Sequence, residues 1–260
     1  MRFALAQPLR VAAIGGVAGL MAGFFGIGGG AVLVPGMVLV GYDQHAAHAT
    51  SLAAIPLTAS AAAAGFATGD EIAVWAALAV VAGALPGAYL GAAVMARLSD
   101  ARLRQGFAVL LLVVAVRLAF PTGAPSPVGD PGGAGETAGL IALGVVVGVL
   151  SAVMGIGGGT MLVPGVILLF GFSVHTAEGT SLLVIVPTAL MGAWRHSRHG
   201  YTDWRAGLWL GVAGILTGVV GSQLALALSA DVLQRLFALF LAAMSVRLLM
   251  RERPRARHAP

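Results

Sequence analysis

The chain has no cysteine and no lysine. Without cysteine there is no disulfide, no CxxC haem attachment and no cysteine zinc site, and the redox compartment stays uninformed. Charge is scarce too. Only 10% of the 260 residues are Asp, Glu, Lys or Arg, where a soluble domain carries about 25%. That is too little to clothe a water-facing surface. All 15 basic residues are arginine, and the net charge is +5. In a soluble chain this balance would point to nucleic acid. Here the arginines gather at the ends of apolar runs and in the tail RERPRARH. Anionic lipid headgroups are therefore the expected polyanion, and no nucleic-acid partner is implied. HExxH, GxSxG, a Walker lysine and paired intramembrane carboxylates are also missing, so no enzyme, metal or cofactor is expected.

What fills the chain is apolar text, 58% of it hydrophobic. Runs of around 20 residues recur from end to end, the length a transmembrane helix needs. The expectation is an all-α, polytopic transmembrane helical bundle. Eight apolar segments stand out, at 9–41, 46–67, 72–96, 103–119, 138–171, 176–194, 206–228 and 231–249. The first has no small-residue cleavage site before its glycine cluster and reads as a retained membrane segment.

Two of these segments carry the same interruption. FFGIGGGAVLVPG at 24–36 and VMGIGGGTMLVPG at 153–165 match at nine of thirteen positions, at an offset of 129. ATSL at 49–52 answers GTSL at 179–182, and VRL at 116–118 answers VRL at 246–248, now at an offset of 130. Such self-similarity indicates an internal duplication. The expected organisation is a first repeat over 1–119, a Pro/Gly-rich linker over 120–137, a second repeat over 138–250 and a basic tail over 251–260.

Segments 9–41 and 138–171 would span roughly 50 Å as straight helices, against about 30 Å of hydrocarbon. Each is thus a broken helix, a helix with a re-entrant piece, or two short helices. Arginine counts bear on the choice. Four crossings per half divide the arginines 11 to 4 between the two sides. A chain reversal at the glycines divides them 13 to 2 and inserts the halves in opposite senses, as in inverted-repeat transporters. Either way both termini are expected in the cytoplasm.

Gly26, Gly28, Gly29 and Gly30, followed by Pro35, free backbone groups that cannot face lipid. So do Gly155, Gly157, Gly158 and Gly159, followed by Pro164. A break of this kind ahead of a short helix presents amides that suit an anion without any basic side chain. The scattered Gly15, Gly19, Gly144 and Gly148 read instead as close-packing positions. Thr50 and Ser51, matched by Thr180 and Ser181, offer hydroxyls for substrate or for the helix itself. His48 and Glu178 occupy corresponding positions and are candidates for proton coupling, or simply interfacial residues. Gln223 fits a packing hydrogen bond or a pore contact. Trp194, Tyr201 and Trp204 read as interface anchors.

A G-[IF]-G-G-G break followed by VP and then TSL, twice, over nearly the whole chain, resembles the TauE/SafE sulfite exporter family of permeases. The resemblance implies a multi-pass inner-membrane protein of about eight helices. It also implies export or uptake of sulfur-containing anions such as sulfite, sulfoacetate and other organosulfonates. Both glycine motifs and both Thr-Ser pairs match the family pattern. The expected function is secondary transport of a small anion. An anion channel and a non-transporting assembly subunit are the alternatives. Substrate identity, transport direction and homo-oligomer formation are left open.

Overall fold

In the computed structural model, residues 8–95, 100–119, 133–154, 158–198 and 200–250 are described. They form ten α-helices and, among the described residues, no strand. The first five are α1 (Pro8–Phe25), α2 (Gly30–Leu39), α3 (Gln44–Ala67), α4 (Val74–Met95) and α5 (Asp100–Ala119). The second five are α6 (Ala134–Met154), α7 (Gly159–Phe170), α8 (Val174–Ser197), α9 (Trp204–Ala227) and α10 (Ala230–Met250). The eight expected segments become ten helices because the two long ones divide at the glycines. Parts of α3, α6, α8 and α9 are long and apolar enough to cross a membrane, at Ala46–Ala67, Ala134–Ser151, Val174–Ser197 and Trp204–Ala227.

At each division the chain turns back on itself. Gly29 lies against the Ala18 carbonyl and Gly36 against Ile14, so α2 runs antiparallel to α1. Gly158 lies against Val147 and Gly165 against Leu143, so α7 doubles back on α6 in the same way. Two helical hairpins result, each with one long arm and one short arm.

Helix packing exchanges elements between the halves. α1 packs on α9, and α6 packs on α4. Glycine makes both contacts possible. A Cβ built on Gly15 would lie 2.4 Å from the Leu210 carbonyl oxygen, and one on Gly19 would lie 2.2 Å from that of Gly214. In the other half, Gly144 meets the Val80 carbonyl oxygen at 2.2 Å and Gly148 that of Ala84 at 2.2 Å. Real Cβ atoms do not approach carbonyl oxygens this closely, so the helices touch backbone to backbone. The packing role expected of these four glycines is what the structure shows.

The same contacts give directions. α1 is parallel to α9, and α9 to α3, since Gly207 lies beside Ala53 and Gly214 beside Thr58. α4 is parallel to α6. The central pair α3 and α8 is antiparallel, with Gly192 at Leu52 and Gly179 at Phe66. α5 and α10 are antiparallel as well. Gln234 donates to the Leu118 carbonyl at 3.0 Å and Ser245 to that of Ala108 at 2.7 Å. Helices that correspond between the halves therefore run in opposite senses, the arrangement behind the 13-to-2 arginine division.

Arg10, Arg198 and Arg205 fall at one end of the bundle, and Arg117 and Arg235 at the other. A chain without cysteine makes this directly testable. Single substitutions Arg10→Cys, Arg198→Cys and Arg205→Cys should react with an impermeant maleimide from one side of the membrane. Arg117→Cys and Arg235→Cys should react from the other side. Labelling of all five from one side would overturn the antiparallel arrangement.

Candidate functional site

The first glycine break runs along α8 from Glu178 to Ile185 and touches the middle of α3. Gly26, Gly28 and Gly29 have φ of 63°, 73° and 81°, and all of 25–31 are buried. Gly26 lies against the backbone of Glu178, where a Cβ would come within 2.5 Å of the Glu178 Cα. Gly28 faces Ile185 and Ile55. Gly30 opens α2, and the half-buried Pro35 lies inside it.

Three carbonyls of the break find protein donors. Ser181 donates to the Gly26 carbonyl at 2.9 Å. Thr58 shares its hydroxyl proton between the Gly28 carbonyl at 3.3 Å and the Ile55 carbonyl on its own helix at 3.1 Å. The Gly29 carbonyl receives the amides of Val32 and Leu33, both at 3.0 Å. The amides of Gly30 and Ala31, in the first turn of α2, have no carbonyl one helical turn back. Gly29 has no side chain with which to cap them.

The second break meets the first. A Cβ on Gly159, the first residue of α7, would lie 2.8 Å from the Ile27 Cα and 2.9 Å from the Gly26 carbonyl oxygen. Gly158 precedes it in right-handed helical geometry, φ −63°. Pro164 is buried inside α7. Gly155 and Gly157 lie outside the described residues.

The four paired hydroxyls, all fully buried, divide their work. Thr50 Oγ1 accepts the Asp203 amide at 3.1 Å, and Thr180 Oγ1 accepts the Ala73 amide at 3.0 Å. Each amide belongs to the residue that precedes α9 or α4, so each threonine braces a helix start in the other half. Ser51 donates to the His48 carbonyl on its own helix at 2.8 Å. Of the four, only Ser181 reaches a described residue of a glycine break.

Polar clusters close both ends of the α3–α8 pair. At one end the Tyr42 hydroxyl donates to Asp203 Oδ2 at 3.0 Å. Burial first, then the hydrogen bond and charge of Asp203, raise the titration of the Tyr42 phenol. At the other end Thr176 and Ser173 donate to Glu71 Oε2. Ser173 also caps α8 through the Thr176 amide at 3.0 Å. His48 and Glu178 thus occupy corresponding turns near opposite ends of the central pair. His48 is half-buried, whereas Glu178 is wholly enclosed. Gln223 makes packing hydrogen bonds, to the Gly65 carbonyl and to Thr68, each at 3.2 Å. Trp194, Tyr201 and Trp204 are exposed together where α8 gives way to α9.

Sequence reasoning missed Thr58, Glu71 and the Tyr42–Asp203 pair. Thr58 left a signal. It stands eight residues after Thr50, as Thr188 stands eight after Thr180, a repeated hydroxyl in apolar text.

The model for the sulfite exporter TauE/SafE family matches residues 2–118 and 140–260, nearly the whole of both halves. The chain belongs to the TauE/SafE family. A probable membrane transporter protein of Xylella fastidiosa (strain 9a5c) is 30% identical over 246 residues, covering 91% of this chain and 93% of that one. YunE, a probable membrane transporter protein of Bacillus subtilis (strain 168), is 25% identical over 234 residues, covering 81% and 86%. No solved structure matches the chain. The gap in the family match falls at the Pro/Gly-rich linker, and both glycine breaks lie inside matched segments. The protein is a membrane transporter of this family.

The two breaks differ in what they tolerate. Gly29→Ala forces a left-handed conformation on alanine and drives its Cβ to 2.6 Å from the Ala18 carbonyl oxygen. The conformational term alone costs about 1–3 kcal/mol. Among the described residues, Gly158→Ala presses closely on the Val147 side chain alone, at 2.8 Å, in ordinary helical geometry. In detergent, Gly29→Ala should lower the thermal midpoint by several degrees, and Gly158→Ala by clearly less. Equal midpoints would contradict the asymmetry.

Proposed function

We propose that this TauE/SafE transporter is a secondary carrier of small anions, sulfur-containing oxyanions or organosulfonates such as sulfite, and that the meeting glycine breaks form its substrate site. The observation that carries the reading is the first break itself. It places the start of α2 inside the bundle with amides that the helix does not use. Amides at a helix start favour an anion. Such a site needs no buried lysine or arginine, whose fixed charge would hold an anion strongly. The opposed hairpins and the antiparallel α3–α8 pair suit alternating access. In the conformation described, Ile55, Ile185 and Glu178 pack the break closed, so substrate entry requires a hairpin to move.

The residues assigned to binding or gating are Gly26, Gly28, Gly29, Gly30, Gly155, Gly157, Gly158 and Gly159, with Ser181 and Thr58 holding the first break in shape. Pro35 and Pro164 sit in the short helices that would move. Thr50, Ser51 and Thr180 are assigned to the frame. The protein is placed in the inner membrane with both termini cytoplasmic, the arginine-rich end facing the cytoplasm. Anionic headgroups are its expected lipid contacts. A channel using the same breaks is the second reading, and flux saturation separates the two.

The test is flux into proteoliposomes of sulfite, sulfate, thiosulfate, sulfoacetate and a neutral amino acid. Saturable movement of one or more of the anions is expected. Ser181→Ala and Thr58→Val each remove one hydrogen bond, worth about 1 kcal/mol. Each should lower kcat/KM about fivefold in protein that still reaches the membrane. Selective movement of the neutral solute would refute the substrate class. Flux that never saturates would favour the channel. Unaltered anion kinetics in both variants would refute the site.

A further inference from the structure

One buried acid is left unused by this site. Glu178 lies five residues inside α8 from its cap Ser173, about 7.5 Å along the helix. It is fully enclosed, and neither carboxylate oxygen has a hydrogen-bond partner among the described residues. Its lid is the first glycine break. A Cβ on Gly26 would sit 2.6 Å from the Glu178 Cβ, and Ser181, one turn further along α8, ties down the Gly26 carbonyl. Gly26 cannot leave α8 without losing that bond and exposing the Cα–Cβ side of Glu178.

Among the described residues, no opposite charge compensates it. The hairpin tip at 24–30 brings no titratable side chain. The connection from α3 to α4 brings Asp70, which is exposed, and Glu71, which is already engaged by Ser173 and Thr176; both carry the same sign. On α8 itself, His175 is turned toward the Ala225 carbonyl on α9, at 3.1 Å. The start of α4 has none. On α10, Asp231 and Arg235 are exposed. An ionised carboxylate in such an enclosure, unpaired and unsolvated, is strongly disfavoured.

We propose that Glu178 is a proton-binding site that couples proton movement to anion movement through the first glycine break. With Gly26 seated on α8, Glu178 is a neutral carboxylic acid. When the hairpin swings away and water enters, the acid releases its proton to that water and becomes a carboxylate. Two negative charges close to one apolar break repel, so anion entry favours the protonated acid. Proton and anion therefore travel in the same direction. His48, at the corresponding place in the first half, is half-buried, with its Nδ1 enclosed; Gly155, the counterpart of Gly26, lies outside the described residues. The proposal rests on the transport reading above for its partner ion, but the proton site is testable without it.

Two measurements on the full-length protein decide it. First, dicyclohexylcarbodiimide reacts with protonated carboxyls in apolar surroundings. Mass spectrometry of the treated protein should find the adduct on Glu178, forming more slowly as pH rises and absent in Glu178→Gln. No adduct on Glu178 at any pH would overturn the proposal. Second, methanesulfonate carries one fixed negative charge, so its electroneutral movement with one proton responds to a pH gradient alone. A one-unit, inside-alkaline gradient should give about tenfold accumulation, the ratio that one pH unit supports. Glu178→Gln should bring the ratio to about one, and Glu178→Asp, which keeps an acid, should restore part of it. Undiminished gradient response in Glu178→Gln would overturn the coupling. A pH-dependent adduct in a protein that moves none of the anions would uphold the proton site and refute the anion carrier instead.

Discussion

A backbone that leaves helical geometry inside a membrane must find its hydrogen bonds within the protein, because lipid supplies none. The first break meets this requirement at Gly26, Gly28 and Gly29, whose carbonyls go to Ser181, Thr58 and the first turn of α2. Two of those donors are side chains on α8 and α3. The reversal is therefore stable only when the central helices of both halves stand beside it. Neither half can satisfy the described break alone, which gives a physical reason for two halves to interlock.

Interlocking demands close approach, and small residues provide it. Gly15 and Gly19 on α1 press on carbonyls of α9, and Gly144 and Gly148 on α6 press on carbonyls of α4. Helix association in lipid gains nothing from hydrophobic transfer between chain and solvent, so contact at this range carries the packing. The same exchange appears at the helix starts. Thr50 serves the start of α9 and Thr180 the start of α4. Each half is thus braced by the other at both ends of the α3–α8 pair. That leaves the hairpins α1–α2 and α6–α7 as the elements whose short arms offer movement at least disturbance of the frame.

The two halves are alike in frame and unlike in chemistry. Asp43 caps α3 where Ser173 caps α8. Tyr42 and Asp203 close one end, whereas Glu71 with Ser173 and Thr176 closes the other. His48 in one half stands where Glu178 stands in the other. Duplication supplies the symmetric scaffold that two-sided access calls for. Among the described residues, the differences place an enclosed acid on one side only, a chemical distinction between the two directions of movement.

Much of this was legible in the sequence. The apolar runs dictated helices, because only hydrogen bonds inside the segment satisfy a backbone in lipid. The glycine clusters dictated the breaks, since two spans were too long for the bilayer and glycine alone adopts the φ found at Gly29 without strain. The offset of 129 to 130 announced the duplication, and the uneven arginines favoured halves of opposite sense. Other features belonged to tertiary structure alone. That Thr50 and Thr180 brace helix starts, while Ser181 binds a break, depends on which backbone lies opposite each hydroxyl. Their neighbours lie more than 100 residues away and carry no local pattern. Glu178 and His48 looked equivalent by position, and only the fold left one wholly enclosed and the other half-buried. A side chain's chemical type is written in the sequence. Its enclosure is a property of what the folded chain puts around it.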